Sequence, residues 1–434
     1  MTWRRTAVPA ATTVTGLVVA VVSVVLGRPD GAVIAVVLLV AAVLALRRPR
    51  EDESARVTLR SSGLDTDRDG SDGEPATGRQ SDHADVDIVI EADPDVPLVL
   101  VRVTSLGFET QRFAVAPPAI LRAHVPLAHS GEQELVAVQV RGVGTDAAFI
   151  SEAEPRASHR AVVEPVLTSV ASLPVPLRLR GLTGAHASGR PGDGGEFRDI
   201  HPFAPGDRLR RIDWKATARL GRRPGDLFVR RTNATSDLDV AIVLDDADDV
   251  GESVADWALG DPTISGVTSM DVARSAAWSL ASAFGEQGDA VSFQVLSRAG
   301  GAIPRGTGGR HRERLGAAIA RTSPHSRLLS RARTPLVASG AQVLLLTTVL
   351  DSDPVRLAGL WRAAGHRVLV VDTLPVPNTG GLDKRQRLAL RVVLALREER
   401  MHELRSIGAD VVHWHGDAAA LAAGLRVLSR PRRR

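Results

Sequence analysis

The chain has no cysteine among its 434 residues. It therefore has no disulfide, no thiolate zinc site or iron–sulfur cluster, and no cysteine nucleophile. Tyrosine is also absent and aromatic residues make up only 3%, which argues against a platform for stacking nucleic-acid bases. Lysine occurs only at Lys215 and Lys384, so arginine supplies nearly all of the positive charge. The formal net charge of +4 is too small to indicate a polyanion partner by itself, and we expect no nucleic-acid partner.

Two long apolar runs stand at the amino end of the chain. Residues 7–26 and 32–46 carry no charge, and the first run has the length of about 20 residues that crosses a bilayer as a helix. A cleaved signal peptide is the alternative for the first run, but the second run follows it immediately. We therefore predict a two-helix transmembrane hairpin over residues 1–50 and expect the lipid bilayer as a partner.

The charges that flank the hairpin predict its orientation. Arg4 and Arg5 precede the first run, Arg47, Arg48 and Arg50 follow the second, and the short loop has only Arg28, offset by Asp30. By the positive-inside rule, both termini and the large remainder lie in the cytoplasm. We expect a protein of the cell membrane with a cytoplasmic body.

Composition and periodicity divide the remainder. Residues 51–85 predict a polar linker with a possible first strand, and residues 86–180 alternate apolar and polar positions between turns, which is typical of an antiparallel β-sandwich. From residue 237 to 434, buried strands alternate with helices, which predicts a mostly parallel, doubly wound α/β domain. Residues 181–236 lie between the two domains. The fold class is therefore multi-domain.

The most informative segment is residues 195–219, which read GEFRDIHPFAPGDRLRRIDWKATAR. The run Pro205, Gly206, Asp207 predicts a turn, because proline presets φ, glycine permits positive φ, and aspartate bonds nearby amides. Arginines and aspartates interleave here with bulky apolar residues. Since a buried charge must be paired, we expect a partly buried ion-pair network that braces the α/β domain against the sandwich or docks a partner. Catalysis is a weaker alternative because no convincing nucleophile is present, and anion binding is weakened by the interleaved acids.

This segment resembles the signature of domain-of-unknown-function family 58 (DUF58), which reads roughly Gly-Glu-Phe, then Pro-Gly-Asp, then a short run with Arg, Ile and Trp, and finally Ala-Arg. The matching residues are Gly195, Glu196, Phe197, Pro205, Gly206, Asp207, Arg211, Ile212, Trp214, Ala218 and Arg219. We add Asp213 to the candidate interaction residues. His201 stands where the family often has Arg, and Phe203 where it often has Tyr, so the expected network loses a charge and a hydroxyl.

The resemblance extends over most of the chain and implies more than the residues alone. It implies a β-sandwich joined to a von Willebrand factor A-like α/β domain. Genes of the family often lie beside those of MoxR-type AAA+ ATPases and transglutaminase-like membrane proteins. This implies a chaperone-like or envelope-related assembly with a cytoplasmic AAA+ partner. No general activity is established for the family. Because the signature lacks a convincing nucleophile, we expect a non-catalytic protein.

A von Willebrand A domain often binds a divalent ion through Asp-x-Ser-x-Ser after its first strand. Here Asp245 is present, Ala247 replaces the first serine and Asp249 replaces the second. Asp351 follows a later strand, and the three carboxylates offer the hard oxygens that Mg²⁺ prefers. An acidic loop without metal is the simpler interpretation, so we expect no cofactor, with Mg²⁺ as the alternative.

Two further patterns are weaker. His413 and His415 share one face of a predicted strand, but no third metal ligand is evident. The arginine-rich tract at residues 384–405 also contains glutamates, and its simplest interpretation is a solvated helix face.

Two function classes remain. The first is a membrane-tethered interaction or scaffold protein of unknown pathway. The second is a metal-dependent enzyme that uses Asp245, Asp249 and Asp351. A polyanion-binding protein is a third, and it requires binding that weakens steeply with salt.

Overall fold

The computed structural model describes residues 3–45, 54–62, 83–94, 96–105, 110–144, 147–170, 173–174, 186–236, 238–257, 266–297, 302–325, 334–414 and 418–429. The chain divides into two compact units. The first comprises Met1–Ala128 and Gln133–Ala161, and the second comprises His129–Glu132 and Val162–Arg434.

Both apolar runs of the first unit form helices. Helix α1 (Val8–Val25) has a mean hydropathy of 2.1 and is long enough to cross a membrane, whereas α2 (Pro29–Leu44) is apolar but shorter. A proline stands in the first turn of each helix, where its missing N–H has no intrahelical role. The helices run antiparallel in close contact: a Cβ at Gly16 would meet Leu39 at 3.2 Å, and one at Gly31 would lie 2.0 Å from Ser23 Oγ.

The antiparallel strands that the sequence predicts are present in this unit, and a further short strand that it does not predict precedes the first helix. Their bounds are β1 (Trp3–Arg5), β2 (Ala55–Ser62), β3 (His83–Ala92), β4 (Leu98–Ser105), β5 (Thr110–Val115), β6 (Ala119–Pro126), β7 (Gly131–Val143), β8 (Phe149–Ser151) and β9 (Ala157–Val163). One sheet has the order β2-β3-β6, and the other has the order β1-β8-β7-β4-β5 with β9 paired to β7. Alternate residues of β3, β4 and β7 point into one shared apolar core, as the period of two along a strand requires.

The two ends of the helical pair lie against the same strand. Strand β1 pairs antiparallel with β8, and the next residue, Thr6, donates its N–H to Ala148 O at 2.9 Å. Just past α2, Ala45 is buried in a cluster with Ala148 and Phe149. The chain therefore leaves and re-enters the β-sheet unit at one place.

The second unit contains the α/β elements. They are β12 (Asp239–Leu244), α4 (Ser269–Glu286), β13 (Ala290–Val295), β14 (Ile303–Gly306), α5 (Gly309–Ala320), β15 (Gln342–Thr347), α6 (Asp353–Ala363), β16 (Arg367–Asp372), α7 (Lys384–Ser406), β17 (Asp410–His413) and α8 (Ala418–Ser429). The sheet order is β14-β13-β12-β15-β16-β17. Each pair of neighbouring strands is parallel except β13 with β14, which is antiparallel. The predicted mostly parallel sheet is therefore present, with one antiparallel strand at its edge.

Helices cover both faces of this sheet. Ile242 and Leu344 point into the core shared with α4, α5 and α8, whereas Val243 and Leu345 point into the core shared with α6 and α7. Strands buried on both faces read as continuous apolar runs, which is why β12 and β15 could be predicted from composition. Their carboxyl ends meet at one edge of the sheet, where ligand sites of open α/β sheets lie.

The segment before this sheet forms a hairpin that the sequence patterns do not predict. Strand β10 (His186–Pro202) pairs antiparallel with β11 (Phe228–Ser236), with irregular register between residues 187 and 199. The connection contains a short helix, α3 (Trp214–Leu220). The signature therefore lies on a two-stranded ribbon and its connecting helix.

Candidate functional site

The predicted turn at Pro205, Gly206 and Asp207 is confirmed. Gly206 has φ of +101°, a conformation that glycine adopts without steric cost. Asp207 donates its N–H to Ala204 O at 3.0 Å, and its Oδ2 accepts the Ala204 N–H at 2.9 Å. The carboxylate therefore fixes the turn from within.

Asp213 begins helix α3. Its Oδ1 accepts the Ala216 N–H at 2.9 Å as an N-cap, and its own N–H donates to Phe228 O at 2.9 Å. Thr217 Oγ1 in turn accepts the Phe228 N–H at 3.0 Å. These bonds hold α3 against β11, so the aspartate that sequence analysis assigned to an interaction site has a clear structural role.

The predicted partly buried ion-pair network stays a prediction, while the described large apolar side chains of the signature lie mostly at the surface. The exposed fraction is 69% for Trp214, 70% for Leu209 and 51% for Phe197. Arg219 is exposed, while Arg211 and Asp213 are half-buried. Opposite charges beside apolar residues do not themselves fix burial, and here a two-stranded ribbon has too little apolar surface to enclose them.

Two ion pairs of the described ribbon are long. Arg231 and Asp207 are 3.9 Å apart, as are Arg198 and Asp199. The Arg230 guanidinium lies 5.4 Å from the centre of the Phe197 ring, within the range of a cation–π contact. Gly195 belongs to β10, but its surroundings and those of Glu196 lie outside the described side chains.

An open cleft of about 520 Å³ lies beside Trp214. Its lining residues are Arg210, Arg211, Ile212, Asp213, Trp214, Arg230 and Thr232. Three guanidinium groups and one carboxylate make this lining cationic, and the exposed indole gives it an apolar wall. We call the cleft and the exposed Phe197 and Leu209 the signature surface.

The three aspartates of the metal hypothesis have separate partners. Asp245 Oδ2 accepts from Thr347 Oγ1 at 2.8 Å, Asp249 Oδ1 accepts the Met270 N–H at 3.3 Å, and Asp351 Oδ1 accepts the Asp353 N–H at 2.9 Å. Within the described ranges, no three or more histidine and acidic side chains are placed to hold a metal ion. The described geometry therefore does not bring these three carboxylates together as one ligand set.

A buried polar cluster lies at the start of α4. Asp271 Oδ1 accepts the Ser130 N–H at 2.7 Å and the Ser130 hydroxyl at 2.9 Å, while its Oδ2 accepts from His129 Nδ1 at 2.7 Å. Arg274 lies 3.5 Å from Asp271 and donates to Ser130 O and Thr322 O. His129 is only 8% exposed, so the whole contact with Asp271 is shielded from water.

The electrostatics of this cluster follow from burial and pairing. Burial by itself raises the pKa of Asp271, but the hydrogen bond and charge of His129 and the N–H groups of Thr268 and Ser130 bring that pKa below its ordinary value. Burial raises the pKa of Asp249 above its ordinary value, although the Thr268 hydroxyl and the Met270 N–H oppose the shift. Burial lowers the pKa of Arg274, against the nearby charges of Asp271 and Asp249.

A second buried carboxylate ends strand β16. Asp372 has a fully buried side chain that pairs with Arg397 of α7 and accepts from His413 Nδ1 at 2.6 Å. His413 is therefore bound to a carboxylate, and its predicted companion His415 lies outside the described residues. Sequence analysis missed Asp372, Arg397 and the His129–Asp271 pair, because each contact joins residues far apart in the chain.

Two comparisons with known proteins bear on this region. The model of a family described as "Protein of unknown function DUF58" matches residues 199–380. No curated protein matches the chain. The matched range runs from the signature ribbon through β16 and supports the DUF58 part of the resemblance. Residues 199–380 of this chain are thus similar to the DUF58 family, whose function is unknown.

Proposed function

We propose that the chain is a membrane-anchored, non-catalytic interaction or scaffold protein whose signature surface docks a cytoplasmic protein partner. The observation that carries this proposal is the exposure of Trp214, Leu209 and Phe197 beside a row of arginines. Tryptophan and arginine dominate the energetically important positions of protein interfaces. Large exposed apolar patches are typical of interaction sites, and the three side chains lie on one short segment of the chain.

Charge indicates the chemistry of the partner. Residues 197–236 contain ten arginines and lysines but four aspartates, whereas the whole chain has a net charge of only +4. Three of the four aspartates already accept backbone N–H groups, as Asp207, Asp213 and Asp226 show. The arginine side chains therefore dominate the field that an approaching molecule meets, and an acidic protein surface complements it.

The family resemblance supports a more specific partner. It points to a MoxR-type AAA+ ATPase and to a chaperone-like or envelope-related assembly. The sheet order β14-β13-β12-β15-β16-β17 supports a von Willebrand A-like fold for the second unit. In this proposal the degenerate Asp245 loop is a structural acidic loop, and the signature surface carries the interaction.

The membrane part of the proposal is a two-span anchor with both termini and the body in the cytoplasm. Helix α1 meets the length and hydropathy of a span, and the flanking arginines favour a cytoplasmic position for both ends. Both ends of the hairpin lie at strand β8. This arrangement supports a β-sheet unit that lies on the same side of the bilayer as both ends.

Crosslinking followed by affinity purification from membranes tests the proposal. Wild type is compared with Trp214→Ala and with the control Leu336→Ala, which removes a 96% exposed apolar side chain elsewhere in the second unit. We expect one dominant protein partner that Trp214→Ala loses and Leu336→Ala retains. Equal recovery from all three variants, or no partner together with a measured hydrolase activity, contradicts the proposal.

A further inference from the structure

Helix α7 has an apolar face that the second unit does not cover. Leu390, Met401 and Leu404 are buried. On the other side of the helix, Leu388 is 61%, Val392 53% and Leu396 47% exposed. These three lie four residues apart and form one stripe. The amino-terminal half of α7 is thus apolar on two opposite faces, although sequence analysis interprets the tract as a solvated face.

Cations border the exposed stripe. Residues 384–397 contain five arginines and lysines and no acid. Arg397 is held inward by Thr348 O and Asp372, which fixes the distal half of the helix. Lys384, Arg385 and Arg391 are exposed and lie on or beside the apolar stripe by their positions along the helix.

An exposed apolar stripe bordered by cations is complemented best by an anionic bilayer surface. A second copy of the stripe would bring the same cations together without acids in the segment to pair them, which opposes self-association. An anionic bilayer surface offers both an apolar layer for the stripe and negative headgroups for the cations, as for other helices that lie in the interface plane. Helix α1 of the same chain has the properties of a membrane span, and such an anchor keeps α7 at a high effective concentration near lipid.

We infer that the amino-terminal half of α7, residues 384–396, is a second membrane contact that docks on anionic lipid. The contact is independent of the signature surface and of any protein partner. It gives the second unit a site that responds to the lipid charge of the leaflet. Loss of this contact leaves the anchor and the signature surface unchanged.

The absence of native cysteine allows a direct test with the full chain. Val392→Cys is labelled with a polarity-sensitive fluorophore and reconstituted into vesicles of phosphatidylcholine alone or mixed with phosphatidylglycerol. The control is Leu336→Cys, an exposed apolar site outside α7. We expect a blue-shifted label that a lipid-borne quencher reaches at position 392 only in anionic vesicles, while the label at 336 stays in water in both.

A charge variant sharpens the result. Arg385→Gln and Arg391→Gln should each weaken docking about fivefold, as expected for one cation near an anionic surface. A label at 392 that stays in water in both vesicle types overturns the inference and leaves the stripe to another protein. Shielding of the label at position 392 from water that depends on protein density but not on lipid charge also overturns the inference. That result assigns the stripe to contact with a second copy of the chain.

Discussion

The buried cluster at the start of α4 predicts a large loss of stability when its charge balance is broken. Asp271→Asn keeps the size of the side chain but removes the negative charge that faces Arg274 and His129. Arg274 is only 6% exposed, so its charge is then left in a poorly solvated place. The substitution therefore removes one partner of a buried ion pair.

The size of the expected loss in stability follows from the burial of the pair. Removing one partner of a buried pair costs about 3–5 kcal/mol, because an uncompensated charge remains. For a unit of this size, 1 kcal/mol shifts the Tm by about 2–4 °C, so Asp271→Asn should lower the Tm by about 6–20 °C. The control is Glu398→Gln, which removes a pair between Glu398 and Arg405 whose side chains are 59% and 45% exposed. Exposed pairs contribute at most about 1 kcal/mol.

Intrinsic tryptophan fluorescence of the full-length protein is the assay. Five of the six tryptophans, all except Trp3, belong to the second unit, so the signal reports on the unit that contains Asp271. If Asp271→Asn melts within about 1–2 °C of Glu398→Gln, the cluster does not stabilise the fold as reasoned here.

Further expectations concern single side chains of the second unit. Because burial raises the pKa of Asp249, its folded form gains stability as the pH falls through that raised pKa; Asp249→Asn should therefore stabilise the protein at pH 7 and flatten this rise in a pH series of melting curves. The pKa of Asp271 is lowered instead, so its contribution is present above its unfolded value of about 4 and is lost as the pH falls through the folded pKa; the loss of stability at acid pH should therefore be smaller in Asp271→Asn than in wild type. Asp213→Ala should cost about 1 kcal/mol as a lost N-cap of α3, measured by hydrogen exchange of residues 214–220. Trp214→Ala should change the free energy of unfolding by less than about 0.5 kcal/mol, because a 69% exposed side chain contributes little to the core.

Much of the α/β sheet could be predicted from the sequence. The apolar run at Asp239–Leu244 predicts a strand at the residues that form β12, because a strand buried on both faces is apolar throughout. The turn at Gly206 was predictable for a similar reason, since its residues act locally. Local chemistry therefore accounts for the elements whose partners lie nearby in the chain.

The burial of the signature could not be predicted in this way. Trp214 and Leu209 are large apolar residues of the kind that fill cores, yet they are exposed on the connection between β10 and β11. The pairing of these two strands is not visible in any periodicity of the sequence. The contact between His129 and Asp271 joins residues 142 positions apart. Such contacts depend on the packing of whole elements, and neither spacing nor composition encodes them.

Site-specific photocrosslinking in membranes is the decisive test of whether the signature surface docks a protein partner. A photoreactive side chain is placed at Leu209 of the signature surface and, as a control, at Leu336, with and without Trp214→Ala. We expect one protein adduct from position 209 that Trp214→Ala abolishes, and none from position 336. The absence of any protein adduct at position 209, together with turnover of a substrate by the purified chain, would contradict it.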